Sequence, residues 1–190
     1  MNEMLENTSS TVDAHLIGKR VIILDREIAN SLYFKDFYGK FYGVEKPKTP
    51  NIMRELELSY FDALYLLENE IIKIKTLDGR EVEKNELIRI FEENYENFKE
   101  AYIVYKDLKK RKLVVKSGMK FGSTFAVYRF GPGIDHAPFL VHVLPYDSKL
   151  DPLEIIRAGR LSHSVRKKFI IAYVNSNTLE VNYFVFKWFM

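Results

Sequence analysis

Short apolar runs bounded by turn residues alternate along this chain with segments of helical spacing. That alternation restricts the fold to mixed helix-and-sheet architecture. Gly18–Leu24, around Val21-Ile22-Ile23, is strand-like. Tyr33–Gly43, aromatic and punctuated by glycine, reads as turns or a hairpin. Lys46–Pro50 reads as a basic loop with two prolines. Ser59 precedes Tyr60, Phe61, Leu64, Tyr65 and Leu67 at helical spacing, and Asp62 completes a capping-box pattern. Ile71–Leu77 reads as a strand entering an Asp78–Gly79 turn, and Asn85 to Phe98 as an amphipathic, acidic helix. Phe98–Lys112 is a further helix, ending in four consecutive cations from Lys109 to Lys112. Positive charge suits the last turn of a helix, so dipole complementation accounts for that cluster. Strand candidates follow at Leu113–Val115, Phe125–Tyr128, Phe139–Leu144, Phe169–Val174 and Val181–Trp188. Asp151-Pro152-Leu153-Glu154 is a strong helix start.

The fold class is therefore α/β: an α+β domain over residues 14–97 and a mixed-sheet α/β domain over residues 98–190. Residues 1–13 read as a polar, disordered tail. The net charge of +3 conceals an uneven distribution. Residues 1–100 carry 14 Lys+Arg against 20 Asp+Glu, and residues 101–190 carry 15 against 6. The second half is where a polyanion would bind, although an ordinary basic surface balanced by an acidic one explains the split equally well. Uncharged stretches such as Phe169–Leu179 fall far short of the roughly 18 residues that a membrane span needs. With no export signal, a soluble, cytoplasmic protein is expected.

Several chemistries are excluded. With no cysteine, the chain has no disulfide, thiol nucleophile, iron–sulfur cluster or cysteine zinc site. His15, His136, His142 and His163 lack metal-ligand spacing, and the acids of the basic half are dispersed, so no metal and no cofactor is expected. There is no Gly-x-Ser-x-Gly, and Lys116–Gly122 lacks phosphate-loop spacing. What remains is a metal-free set of tyrosines, His136 and the cations Arg166, Lys167 and Lys168. RNA supplies its own nucleophile in the 2′-hydroxyl. Cutting it takes a base for that hydroxyl, an acid for the 5′-oxygen and a cation for the phosphorane. Histidine, with an ordinary pKa of about 6.5, suits the acid. Tyrosine, near 10, is a weak base unless cations depress it.

The order and spacing of several segments add a more specific signal. They are Tyr105-Lys106-Asp107-Leu108, Val114-Val115-Lys116-Ser117-Gly118, Lys120-Phe121-Gly122, Phe125-Ala126-Val127-Tyr128, Gly131-Pro132-Gly133, His136-Ala137-Pro138 and Arg160-Leu161-Ser162-His163-Ser164-Val165-Arg166-Lys167. Over Tyr102–Trp188 this series is similar to the archaeal tRNA-splicing (tRNA-intron) endonucleases, with looser agreement at Tyr38-Gly39, Leu56–Ser59 and Ala63–Leu66.

The resemblance implies that family's fold and a metal-independent endoribonuclease acting on precursor tRNA. It would cut a bulge–helix–bulge to leave 2′,3′-cyclic phosphate and 5′-hydroxyl ends. It further implies Tyr128 as general base, His136 as general acid and Lys167 as stabiliser of the transition state. The short Tyr128–His136 interval implies a tight loop through Gly131-Pro132-Gly133. Arg160 matches one arm of a cation–π clamp on a bulged base. The second arm is unassigned, since Asn182 stands where an arginine is usual and Lys187 lies further on. Arg166 and Lys168, beside Lys167, join Arg160 as RNA-binding residues. The family assembles as four units, which implies two catalytic chains of this kind plus two structural chains, with four identical chains as the alternative. Asp147 and Asp151 are candidates for an acidic docking loop, or simply a turn and an N-cap. The last strand either pairs across a subunit boundary or lies in the core. The other functional reading is a non-catalytic structural or RNA-binding subunit of the same assembly.

Overall fold

The computed structural model of the chain describes residues 11–45, 47, 49–149, 151–153, 156, 159–160 and 167–186. The chain divides into two compact units, Met1–Asn94 and Tyr95–Met190.

In the first unit the described elements are β1 (Val12–Ile17), β2 (Arg20–Ile23), α1 (Arg26–Asp36), β3 (Lys40–Phe41), β4 (Leu56–Leu58), α2 (Tyr60–Glu68), β5 (Ile72–Thr76) and α3 (Lys84–Asn94). The sheet runs in the order β3-β4-β2-β1-β5, with β1 and β5 parallel and the other neighbours antiparallel. Strand side chains alternate between faces. Ala14, Leu16, Val21, Ile23, Leu56, Leu58, Ile72 and Ile74 fill the buried face. Two expectations change here. Val12 and Asp13 belong to β1 rather than to a tail, because pairing with Ile72 and Lys73 gives them a ladder. Residues 1–10 of the expected tail lie outside the described residues. Tyr33–Asp36, expected in turns, are helical. Asp25 caps α1 by accepting the Glu27 and Ile28 amides, and the Tyr33 ring packs between Phe34, Phe37 and Phe41. At α2, the Ser59 hydroxyl accepts the Asp62 amide as the capping pattern requires, while the buried Asp62 carboxylate accepts the Gly39 amide at 3.1 Å. The basic loop at Lys46–Pro50 includes Lys46 and Lys48, which lie outside the described residues.

The second unit holds α4 (Phe98–Lys110), β6 (Val114–Ser117), β7 (Phe125–Tyr128), β8 (Phe139–Pro145), β9 (Lys168–Asn175) and β10 (Glu180–Phe186). Its sheet order is β10-β9-β8-β7-β6, with only β8 and β9 parallel among these pairs. On one face α4 packs through Tyr105 against Phe125. The other face buries Ala126, Ala137, Leu140, Phe169 and Ile171. At the end of α4, Arg111 turns back to Asp107 at 2.9 Å. β10 is an edge strand with Phe184 and Val185 about half exposed, so its alternating apolar residues are not all core. One of its side chains is anchored: the Tyr183 hydroxyl donates to the Asp107 carboxylate at 2.6 Å. Asp151 accepts the Leu153 amide, and Pro152, Leu153, Ile156, Gly159 and Arg160 are helical. Asp147 is exposed in a turn.

Candidate active site

The register of the second sheet dictates which residues meet at one of its ends. Val127, Phe139 and Lys168 lie side by side on β7, β8 and β9. One step beyond that row come Tyr128, Pro138 and Lys167. Period-two alternation puts Tyr128 and Lys167 on the face that carries Ala126 and Phe169. Lys168, exposed, falls on the opposite face.

Tyr128 ends β7 half-buried, its ring packed on the apolar cluster that contains Ala137. The chain then turns sharply. Gly131 (φ 136°) and Gly133 (φ 88°) adopt backbone conformations that side chains disfavour, and the Ile134 and Asp135 amides both bond the Gly131 carbonyl at 3.1 Å. The Asp135 carboxylate accepts amides across the loop, from Gly131 at 2.7 Å, Arg129 at 3.1 Å and Phe130 at 3.4 Å. His136 emerges exposed between this loop and the buried Ala137. Lys167 closes the arrangement. Its Nζ donates to the Ala137 carbonyl at 2.6 Å and lies 5.3 Å from the centroid of the Phe121 ring. A lysine 30 positions away in sequence is thereby fixed to the residue that follows His136.

The electrostatics of Tyr128 differ from what a base at neutral pH needs. Burial first, and the charge of Asp135 second, hold its phenol above the ordinary tyrosine value. The sequence made a tyrosine base conditional on neighbouring cations that depress it. In the folded chain desolvation and a carboxylate prevail instead.

Among the sequence-predicted residues, Tyr128 and Lys167 therefore lie at one sheet end, with His136 in the loop beside it. Arg160 is exposed on its helical segment, with no hydrogen bond or ring contact to this group among the described residues. Arg166, like Lys187, lies outside the described residues. Sequence reasoning singled out neither Asp135 nor Phe121 for a role. The only signal for Asp135 was an aspartate closing a Gly-Pro-Gly turn. For Phe121 there was none. Among the described residues, no group of three or more His, Asp or Glu is arranged to hold a metal ion, and no helix is long and apolar enough to cross a membrane.

Residues 12–88 match the model of the tRNA intron endonuclease N-terminal domain, and residues 98–183 that of the tRNA intron endonuclease catalytic C-terminal domain. A tRNA-splicing endonuclease of Hyperthermus butylicus is 45% identical over 177 residues, covering 93% of this chain and 98% of its own. One from Sulfolobus acidocaldarius is 40% identical over 178 residues, with the same coverage. One from Saccharolobus islandicus is 38% identical over 178 residues, again covering 93% and 98%.

Proposed function

The chain belongs to the tRNA intron endonuclease family, and on that premise we propose that it cuts precursor tRNA at both intron boundaries. The substrate is a bulge–helix–bulge, in which unstacked nucleotides leave the 2′-hydroxyl free to align with its phosphate. Tyr128 takes the proton of that hydroxyl. The 2′-oxygen bonds to phosphorus, the bond from phosphorus to the 5′-oxygen breaks, and His136 gives that oxygen a proton. Lys167 faces the negative charge that accumulates on the phosphorane. The products are a 2′,3′-cyclic phosphate and a 5′-hydroxyl, and the proton balance closes without a metal ion.

The bond from Lys167 Nζ to the Ala137 carbonyl carries this reading, because it ties the cation to the residue after the proposed acid. The raised phenol of Tyr128 means that forming the base costs free energy in the folded chain, burial being the larger cause and Asp135 the smaller. Exposed Arg160 and Lys168, with Arg166, contact the RNA. The assembly is two chains of this kind with two structural chains, at work in the cytoplasm. The apolar edge of β10 supports such pairing, since Phe184 and Val185 are half exposed on a strand that ends its sheet among the described residues.

The test is cleavage of a bulge–helix–bulge RNA in excess EDTA, with the partner chain supplied where required. Cutting that persists in EDTA, together with loss of cutting but retained RNA binding in His136→Ala, is expected. Abolition by the chelator, or wild-type rates in His136→Ala, overturns the mechanism.

A further inference from the structure

We propose that Asp135 is a positioning residue, whose carboxylate holds the loop between Tyr128 and His136 so that these two groups act on the same phosphate. The inference rests on the reading of Tyr128 and His136 as base and acid. Seven residues intervene between them, and a loop of that length carrying Gly131 and Gly133 has many conformations available. The carboxylate removes that freedom. One oxygen accepts the Gly131 amide and the other accepts both the Arg129 and Phe130 amides, so three consecutive backbone groups directly after Tyr128 converge on one side chain. Asp135 is itself bonded back to the Gly131 carbonyl through its amide, and it is covalently next to His136. The path from base to acid is closed at both ends by the same residue.

The charge has a second consequence. Asp135 acts on Tyr128 by its charge, with His136 next to it in the loop, while Lys116 on β6 shares the sheet face of Tyr128 and Lys167 lies at the same sheet end. Of these, Asp135 is the carboxylate, and it opposes ionisation of the phenol. A residue that only stabilised the fold would not couple to the pH dependence of cutting.

Two substitutions separate geometry from charge. Asp135→Asn offers one acceptor and one donor in place of two acceptors, so the three amides cannot all be satisfied. Asp135→Glu keeps the charge and displaces the oxygens by a methylene. Each is measured in the full chain, in the assembly that cuts, as single-turnover rate and half-saturating enzyme concentration across pH. Misplacement on the ångström scale costs about 100-fold in rate, so a fall of about 10- to 100-fold in both variants is expected, with half-saturation within about threefold of wild type. The alkaline limb of the rate profile moves to lower pH in Asp135→Asn and stays in place in Asp135→Glu. Wild-type rates in either variant overturn the proposal. So does a loss confined to half-saturation, or a slow Asp135→Asn whose pH profile is unmoved. Should Asp135→Asn fail to fold, the Glu variant decides the geometric claim by the same rate criterion. Tyr128→Phe and His136→Ala run alongside. Wild-type cutting in those two removes the acid–base reading and the positioning role with it, whereas inactive site variants beside a fully active Asp135→Asn remove the positioning role alone.

Discussion

Replacing Tyr183 with phenylalanine removes one oxygen atom and tests how the exposed edge strand of the second unit is held. The Tyr183 hydroxyl donates to Asp107 at 2.6 Å, and Arg111 Nε reaches the same oxygen at 2.9 Å with its guanidinium 5.5 Å from the Tyr183 ring centroid. Hydrogen bonds to charged groups contribute about 1.5–3 kcal/mol. The Asp107 side chain is 31% exposed and keeps Arg111 in the variant, so the lower end applies, about 1.5 kcal/mol at neutral pH. The loss depends on pH in a fixed direction. For Asp107, desolvation pushes the carboxyl up, but the hydrogen bonds from Tyr183 and Arg111 and the nearby cations outweigh it, leaving the group below the usual carboxylate range. A depressed acid contributes stability above its unfolded pKa, and that contribution disappears as pH falls through the folded value. For Tyr183, burial first and the bond to Asp107 second raise the phenol, so its contribution is complete below the unfolded value of about 10 and lost above it. The stability gap between wild type and Tyr183→Phe is therefore flat from about pH 5 to pH 10 and closes on either side. Urea unfolding followed by far-ultraviolet circular dichroism at stepped pH measures it. A gap that persists unchanged at pH 2, or equal stabilities throughout the plateau, refutes the reasoning.

Two further outcomes follow from the same geometry. Lys167→Met, which keeps the length of the side chain and removes the charge, lowers the single-turnover cutting rate about 10²- to 10³-fold, the usual consequence of losing one oxyanion partner. RNA affinity measured by filter binding changes little, and a rate within tenfold of wild type would dismiss Lys167 as the stabiliser. Gly118→Ala lowers the melting temperature, because an added Cβ would lie 2.3 Å from Ser123 Oγ and 2.7 Å from the Phe125 carbonyl carbon. With backbone as one of the obstacles the cost is about 2 kcal/mol or more, and an unchanged melt contradicts the close approach.

The strands of the second unit were legible because β7, β8 and β9 are buried through their middle, and continuous apolar runs such as Phe125–Tyr128 and Phe139–Leu144 have no other stable use. The same logic failed at β1. Its Ala14 and Leu16 face the core while Asp13 and His15 do not, an alternation that the neighbouring polar residues disguised as tail. It failed at α1 for a different reason. Tyr33, Phe34 and Phe37 favour extended backbone by intrinsic preference, but the Asp25 cap and the packing around Tyr33 outweigh it.

The candidate site divides along the same line. The resemblance, carried by short segments in order, is what pointed to Tyr128, His136 and Lys167; the chemistry of RNA cleavage alone left the choice of tyrosine and of cation among Arg166, Lys167 and Lys168 open. What holds them together was not legible. The Lys167–Ala137 bond spans 30 residues, and the Asp135 carboxylate serves amides that no periodicity marks. The Lys167–Ala137 bond follows from β8 and β9 running parallel, which brings Pro138 opposite Lys167 and lets the Lys168 amide bond the Pro138 carbonyl at 2.9 Å, whereas the Asp135 bonds are internal to the loop between β7 and β8. Reversing either strand would leave every site residue in the sequence and none of the site. The excess of cations over acids in residues 101–190 suits a polyanion and an ordinary basic surface alike, and by itself it selects no place of cutting. In the proposed reaction, selection requires a phosphate to lie between Tyr128 and His136, and that requirement falls on the seven-residue loop that Asp135 closes.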